Sequence, residues 1–447
     1  MGDVVIELGE LHHERQPAPL PVRRSPHPYR AGLALAAAVL LALVTGAVPR
    51  EAPWRPVIVP ARLGDAMFVE HDRLYVVDAP PVQPTTAVQS RIVSTYALPG
   101  GELLHRSTAA VTGAVFSVTS AGSTVLVSYR VDTMGAEATV AVAAGTDRAL
   151  WRAPARMLSV SAADGLVLLH ENIPESGKLS WYGVDLATGR HRWVLREPAL
   201  AYTVETGYGA DGFPHRLVTA AVDGHLDVRD TVSGRVVTAA DLPVPPSWSR
   251  RGITLWPAGE ILLVGGPAGV TAYALSDLTE RWASPLDLSG RWVEPDCAGE
   301  ICLFGYRGGV QVVDPVTGAV RWTSPRWAAA AAAGTYLLVA GREEDQARSP
   351  LAVVDPRTGE VHGDFGLWRP AGRVRADGTV IGIRQLIGDD IVWYASLDPR
   401  TLAVRVLGEA TDVSGDCQAT TQVLVCRALD ASVALWPLTD GRIVTGG

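Results

Sequence analysis

Four patterns in this 447-residue chain have the residue types and spacing for chemistry. The first is a glycine loop. GYGADG at 207–212 satisfies G-x-G-x-x-G, whose glycines let backbone approach a pyrophosphate when the loop opens a helix. Here Phe213-Pro214 and the strand-like RLVTAAV follow. Without a helix N-terminus there is no phosphate cradle, and the segment reads as a loop. The second is Lys178, the one lysine of the chain, set in Gly177-Lys178-Leu179 without the Ser or Thr that a P-loop needs. The third is His12-His13, a pair able to hold a metal but placed in a solvated tail. The fourth is a set of four cysteines. No G-x-S-x-G, H-E-x-x-H or C-x-x-C occurs, so nucleophile-elbow, zincin and dithiol chemistry find no motif here.

The cysteines are Cys297, Cys302, Cys417 and Cys426, and four cysteines allow three connectivities. Each pair brackets a hairpin turn, Ala298-Gly299-Glu300 in one and Thr420-Thr421-Gln422 in the other, and each first cysteine follows an aspartate, Asp296 or Asp416. Bridges 297 to 302 and 417 to 426 are favoured. A zinc site fits less well, because the gaps do not match a knuckle and no histidine lies nearby. Disulfides persist in oxidising compartments, which places the body of the chain outside the cytoplasm.

With 47% hydrophobic and 19% charged residues the chain can bury a large core, and disorder is excluded. Net charge is -8. Within the first thirty residues Arg15, Arg23, Arg24 and Arg30 balance Asp3, Glu7, Glu10 and Glu14, so the remaining chain carries the acidic excess. That charge excludes nucleic acid as the expected partner, since phosphate recognition needs clustered positive charge. The single lysine and the single asparagine, Asn172, fit GC-rich bacterial coding.

Residues 31–48, AGLALAAAVLLALVTGAV, carry no charge and are bounded by Arg30 and Arg50. As a helix they would span about 27 Å, close to a hydrocarbon core. A cleaved signal peptide is the competing reading, with Thr45 and Ala47 as small cleavage-site residues, but the preceding region and the apolar stretch are both long for one. An uncleaved single-pass anchor is expected. A lipoprotein is excluded because no cysteine precedes Cys297, and Ile6 stands where myristoylation needs Ser or Thr. Arg15, Arg23, Arg24 and Arg30 precede the segment while Arg50, Arg55 and Arg62 follow it, a slight lean toward an inside N-terminus. Pro26 and Pro28 break a twin-arginine reading of Arg23-Arg24, and the run from Pro17 to Pro28 reads as a flexible tail.

After residue 60 the chain becomes short β-rich runs, such as RLYVV (73–77), TVLVSYR (124–130) and EILLVGG (260–266), separated by glycine turns. One turn recurs, as VDLATG at 184–189, VDPVTG at 313–318 and VDPRTG at 354–359. Degenerate copies keep the register at 230–234 and 398–401, and AYALSDLTERW at 272–282 fills the one double gap. Asp shapes entry to such a turn and Gly supplies positive φ at its end. Trp193, Trp282 and Trp322 share one register after the turn, where they are expected to pack blade against blade. A period near 42 residues with four strands per unit marks a β-propeller. Turns near 101, 145, 189, 234, 278, 318, 359, 402 and 441 count nine units. If the terminal strands share a closing blade the number falls to eight, so eight blades are favoured and nine is the alternative.

These repeats resemble the quinoprotein-like propellers, the pyrroloquinoline quinone-binding-like repeat family, through an apolar strand, Asp, a Thr-Gly turn and a closing Trp. The resemblance covers about 61–447 and is strongest at 184–193 and 313–322. It implies an all-β propeller and little about activity, because the family holds quinone-dependent dehydrogenases beside non-enzymatic, membrane-anchored scaffolds. The dehydrogenases carry adjacent cysteines against the quinone and a calcium site of Glu, Asn and Asp. Here no two cysteines are adjacent, and Asn172 lies before Ile173-Pro174. No catalytic residue, cofactor or metal is therefore assigned.

Loops remain as the place for binding. The connection between second and third strands is long in unit one (Asp78 to Arg91), unit three (His170 to Leu179) and unit seven (Gly341 to Pro350). Strand alternation puts all three on one face of the disc. The third carries His170, Glu171 and Glu175, and the seventh Arg342, Glu343, Glu344, Asp345 and Arg348, which together form the candidate binding face. The expected organisation is a cytoplasmic tail (1–30), a transmembrane helix (31–49), a linker (50–60) and an extracytoplasmic propeller (61–447). The expected role is a non-catalytic scaffold for a protein or cell-envelope ligand. The alternatives are a quinone-dependent oxidoreductase and a sensor acting through the tail.

Overall fold

The computed structural model describes residues 55–438, apart from 80–87, 132–134, 174–177, 197–201, 222, 244–253, 267–268, 307, 342–348 and 387. The tail, the apolar segment expected to cross a membrane and the turn near 441 lie outside the described residues. Among the described residues no helix is long and apolar enough to cross a membrane. They form 36 strands in nine antiparallel four-stranded sheets, which are the blades of a propeller.

Blades 1 to 8 each use four consecutive strands, over 66–111, 115–153, 156–196, 202–241, 254–284, 291–324, 329–364 and 369–410. First strands of blades 4 to 7 touch one another in series, which puts the first strand at the axis and the fourth at the rim. Blade 9 takes three strands from the C-terminal end (Val413–Ala419, Val423–Ala428, Val433–Pro437) and its rim strand, Val57–Val59, from the N-terminal end. Val57 pairs with Leu435 and Val59 with Val433.

The expected count of eight is therefore corrected to nine. The terminal strands do share a blade, but sharing moves a strand without removing a unit. Blade 1 already holds its own four strands from Ala66 to Val111, so the N-terminal strand substitutes for the rim strand that blade 9 lacks.

Among the described residues nine hydrophobic clusters form the core, one between each pair of neighbouring blades. Blade 8 meets blade 9 through Ile381, Tyr394, Leu424 and Trp436, and blade 9 meets blade 1 through Val425, Leu435, Val59 and Leu74. Because both faces of every blade are covered, middle strands read as unbroken apolar runs: in Thr124–Arg130 all residues but Arg130 are buried.

One contact recurs between blades. The Trp193 indole N–H in the rim strand of blade 3 donates to the Thr231 carbonyl of blade 4 (2.9 Å). Trp282 donates to Pro315 (2.8 Å), Trp322 to Pro356 (2.9 Å) and Trp151 to Leu186 (2.8 Å), each in the next blade. The acceptor is always the residue after the turn aspartate. Proline fits there because the indole needs only the carbonyl. The turn glycine lies under the ring. Gly359 has φ +74°, and a Cβ on it would stand 2.6 Å from Trp322 Cδ2. The turn aspartate holds that geometry: Asp355 Oδ1 accepts from the amides of Arg357 (2.8 Å) and Thr358 (2.9 Å). Those amides hold the Asp355 carboxyl below the usual range, and at Asp185 the Arg192 guanidinium and the Thr188 hydroxyl hold it at about 2.

Two boundaries invert this pairing. At the tryptophan register blade 7 has Gly363, opposite Val353, and blade 4 has Thr238, opposite Val228. The next turns then carry Leu402 and Leu278 where glycine stands elsewhere, both at φ +56°. A Cβ on Gly363 would collide with the Leu402 side chain, so the bulk has moved from strand to turn. Filling the gap offsets the backbone cost of a leucine in the left-handed region.

Gly359→Ala should lower the unfolding free energy by about 2–4 kcal/mol, summing left-handed strain and overpacking against Trp322. Gly363→Trp should be destabilising alone and should regain most of that loss when combined with Leu402→Gly. Urea midpoints of the single and double variants check both.

Candidate functional site

The propeller axis is not lined evenly. The first strand of blade 7, Ala329–Ala333, is five alanines, and that of blade 8 is the two residues Arg369–Pro370. By contrast the first strands of blades 2 and 4 run seven residues, Val115–Ala121 and Tyr202–Tyr208. Small side chains and a shortened strand open a cavity of about 730 Å³, reached by residues of blades 7, 8, 9 and 1. It is lined by the starts of first strands (Ala66, Ala329, Arg369), the end of a second strand (Ala340) and the start of the third-strand segment (Ser349, Leu351). That end of the axis is the face where second strands lead to third strands.

The cavity has two unlike halves. Ala329, Ala331, Leu338, Leu351, Trp368 and Ile383 make an apolar wall from blades 7 and 8, and Asp416, Gln418, Asp65 and Arg427 make a polar one from blade 9 and the entry to blade 1. Asp65 and Arg427 are committed to the fold. Asp65 accepts from the amides of Arg62 and Ala79 (2.8 Å each), and Arg427 donates to the carbonyls of Ala431 (2.9 Å) and Asp65 (2.6 Å). The exposed side chains of Arg369, Asp416 and Gln418 make no hydrogen bond or ion pair among the described residues. A second hollow of about 620 Å³ opens on the same face of blade 6, beside Tyr306.

His170 lies in the second strand of blade 3 (Leu166–Ile173), its ring 4.7 Å from that of Trp181. Burial, with Arg156 adding repulsion, pushes its pKa down to about 4. Its Nε2 is buried without a partner among the described residues, so the ring sits neutral in the blade. Glu171 accepts a hydrogen bond from the Tyr182 hydroxyl. Glu175, Arg342, Glu343, Glu344, Asp345 and Arg348 lie outside the described residues, although Ala340 and Ser349, on either side of the seventh-unit loop, line the cavity.

The cysteines close as Cys297–Cys302 and Cys417–Cys426. GYGADG forms a hairpin loop between strands Tyr202–Tyr208 and Pro214–Ala220, closed by Gly209 N–H to Phe213 O (2.9 Å). Among the described residues no three of His, Cys, Asp and Glu gather as a metal site. On blade 4 the Tyr208 hydroxyl donates to Glu205 (2.8 Å), and burial raises the Glu205 pKa.

Sequence reasoning missed the cavity. Its signal was the alanine run at 328–333, where a first strand offers no bulk to the axis. Arg369 and Asp416 carried no signal at all, since nothing local distinguishes a side chain beside a cavity from one in bulk solvent. Trp151 was also missed, because the turn that precedes it lacks the Asp–Thr–Gly pattern.

No protein-family model matches the chain, and no curated protein matches it by sequence. Among solved structures it is similar to BamB from Moraxella catarrhalis, at 15% identity and TM-score 0.41, covering 86% of this chain and 99% of that one. It is also similar to the computationally designed Ika8 protein, at 12% identity and TM-score 0.37, covering 86% and 99%. A chain of the Mitotic Checkpoint Complex matches at 13% identity and TM-score 0.36, covering 62% and 85%. At these scores the nine-bladed fold rests on the strand pairings above.

A histidine with a folded pKa near 4 and an unfolded one near 6.5 binds its proton more readily in the unfolded chain. His170 should therefore subtract stability as pH falls from 6.5 toward 4. The urea midpoint of the wild type should drop more steeply over that window than that of His170→Phe.

Proposed function

We propose that the chain is a membrane-anchored protein whose propeller works outside the cytoplasm as a non-catalytic scaffold, binding a protein or cell-envelope ligand. The observation that carries this reading is the axial cavity, on the face where second strands lead to third strands and beside the ends of the seventh-unit loop. A concave site with an apolar wall and a few uncommitted polar groups suits binding. The nine-fold ring of interlocked blades supplies a rigid rim around it.

Location rests on two supports. Disulfides Cys297–Cys302 and Cys417–Cys426 accord with an oxidising compartment. The charge-free stretch 31–48 has the length of a membrane span, with the tail 1–30 on the cytoplasmic side. The spacing of the cysteines departs from the adjacent pair of quinone-dependent dehydrogenases, which disfavours the oxidoreductase alternative.

Photo-crosslinking groups at Val88 and Leu386, both exposed in second-to-third strand connections, should capture a partner in cells, while one at Val316, in a turn on the opposite face, should not. Adducts from Val316 alone would place binding on the other face. A reporter active only outside the cytoplasm should be active when fused after residue 447. An inactive reporter would reverse the proposed orientation.

A further inference from the structure

We infer that the axial cavity takes a short apolar peptide with both termini free, its carboxylate on Arg369, its ammonium on Asp416 and its side chains against the alanines and Trp368. This rests on the binding reading above and names the chemistry of its ligand.

Size admits such a molecule, since a cavity of about 730 Å³ lies within the range of small-molecule sites. Charge narrows the choice. Arg369 and Asp416 stand on the first strands of neighbouring blades, yet no ion pair joins them within 4.0 Å and neither has a partner among the described residues. Both side chains are exposed at the cavity, and a ligand with one charge of each sign can meet the two at once. A neutral saccharide meets the two with hydroxyl hydrogen bonds alone, and a fatty anion faces Asp416 with like charge. A zwitterion satisfies the two together, through charge-assisted hydrogen bonds.

Gln418 adds the peptide. It lies two residues from Asp416 on the strand Val413–Ala419, so both project from the same side. That spacing, about 6.6 Å, is the two-residue repeat of an extended chain. With an ammonium on Asp416, the Gln418 amide meets a peptide unit further along and offers it both a donor and an acceptor. Across the cavity Ala329 and Ala331 leave room for side chains, and Trp368, Leu338 and Ile383 receive them.

Calorimetry on the full chain in nanodiscs, with a leucine–alanine tripeptide, its N-acetyl form and its C-terminal amide, tests the assignment. The wild type should bind the free peptide and lose about tenfold with either blocked form. Asp416→Asn should bind about tenfold more weakly and become indifferent to acetylation, and Arg369→Gln should become indifferent to amidation. Ala331→Trp, an exposed position, should abolish saturable binding with an unchanged melting temperature. Equal binding of all three peptides, or none by any, overturns the inference. So does a neutral oligosaccharide that binds the wild type and is lost in Ala331→Trp, which would give the cavity to a polyol. Axial crosslinks that survive in Ala331→Trp without peptide binding sink this inference and leave the scaffold reading intact, whereas their absence in the wild type removes that reading itself.

Discussion

The fold depends on a contact between two flat groups: a tryptophan ring laid on a glycine turn of the next blade. Sheets stacked face to face through valine and leucine have apolar attraction but little to fix rotation or register, because that attraction has no direction. The indole N–H supplies direction. At four boundaries it reaches one particular carbonyl at 2.8–2.9 Å, and the turn glycine sets how closely the ring approaches. At those boundaries the contact fixes how one blade is set against the next. At two boundaries without the tryptophan, leucine stands at the turn position instead of glycine, and after blade 7 the Leu402 side chain fills the space beside Gly363.

Closure relies on a shorter element. The N-terminal rim strand has three residues, yet Val57 does at blade 1 what tryptophan does elsewhere: a Cβ on Gly101, φ +74°, would lie 2.6 Å from Val57 Cγ1. The Cys417–Cys426 bridge crosses the two innermost strands of the same blade. Blade 6 has its bridge beside a buried carboxylate, Glu300, whose side chain is 4% exposed and receives Arg321 at 2.7 Å. Arg357, from the turn of blade 7, stands 3.6 Å away on its other oxygen. A buried carboxylate needs such partners, and drawing one from the neighbouring blade makes the charge part of the joint.

Departures from the repeat produce the candidate site. A propeller built from identical units would have a uniform channel, whereas here alanines on one first strand and truncation of the next leave the axis hollow on one side. Residues from second and third strands then reach the axis and give the hollow its apolar wall, while blade 9 faces it with uncommitted polar groups. The same blades carry out both tasks at different radii. Rim strands hold the joints, and the axial strands are free to vary because their loss of bulk does not touch the tryptophan contacts.

Much of this architecture is written locally. Hairpin disulfides and the Asp–Thr–Gly turn depend on neighbours within about ten residues, and each four-strand unit is one unbroken stretch of about 40, so such patterns survive as spacing in a linear chain. Eight turns, from the one near 101 to the one near 402, were legible for that reason. Blade number was misjudged at the one point where it depended on pairing Val57–Val59 with Val433–Pro437, strands almost a full chain length apart. The Leu402 and Gly363 exchange was equally hidden, since either residue alone looks like decay of a repeat and only their contact shows compensation. The cavity belongs to the same class: Ala329, Trp368, Asp416 and Asp65 come from four blades and share no pattern, and their meeting is settled by the closing of the ring. Sequence determined the unit and the recurring turn because each is built from one continuous stretch of chain. The number of units, the compensated joints and the hollow at the axis were decided by tertiary structure, because each is a relation between residues that only closure brings together.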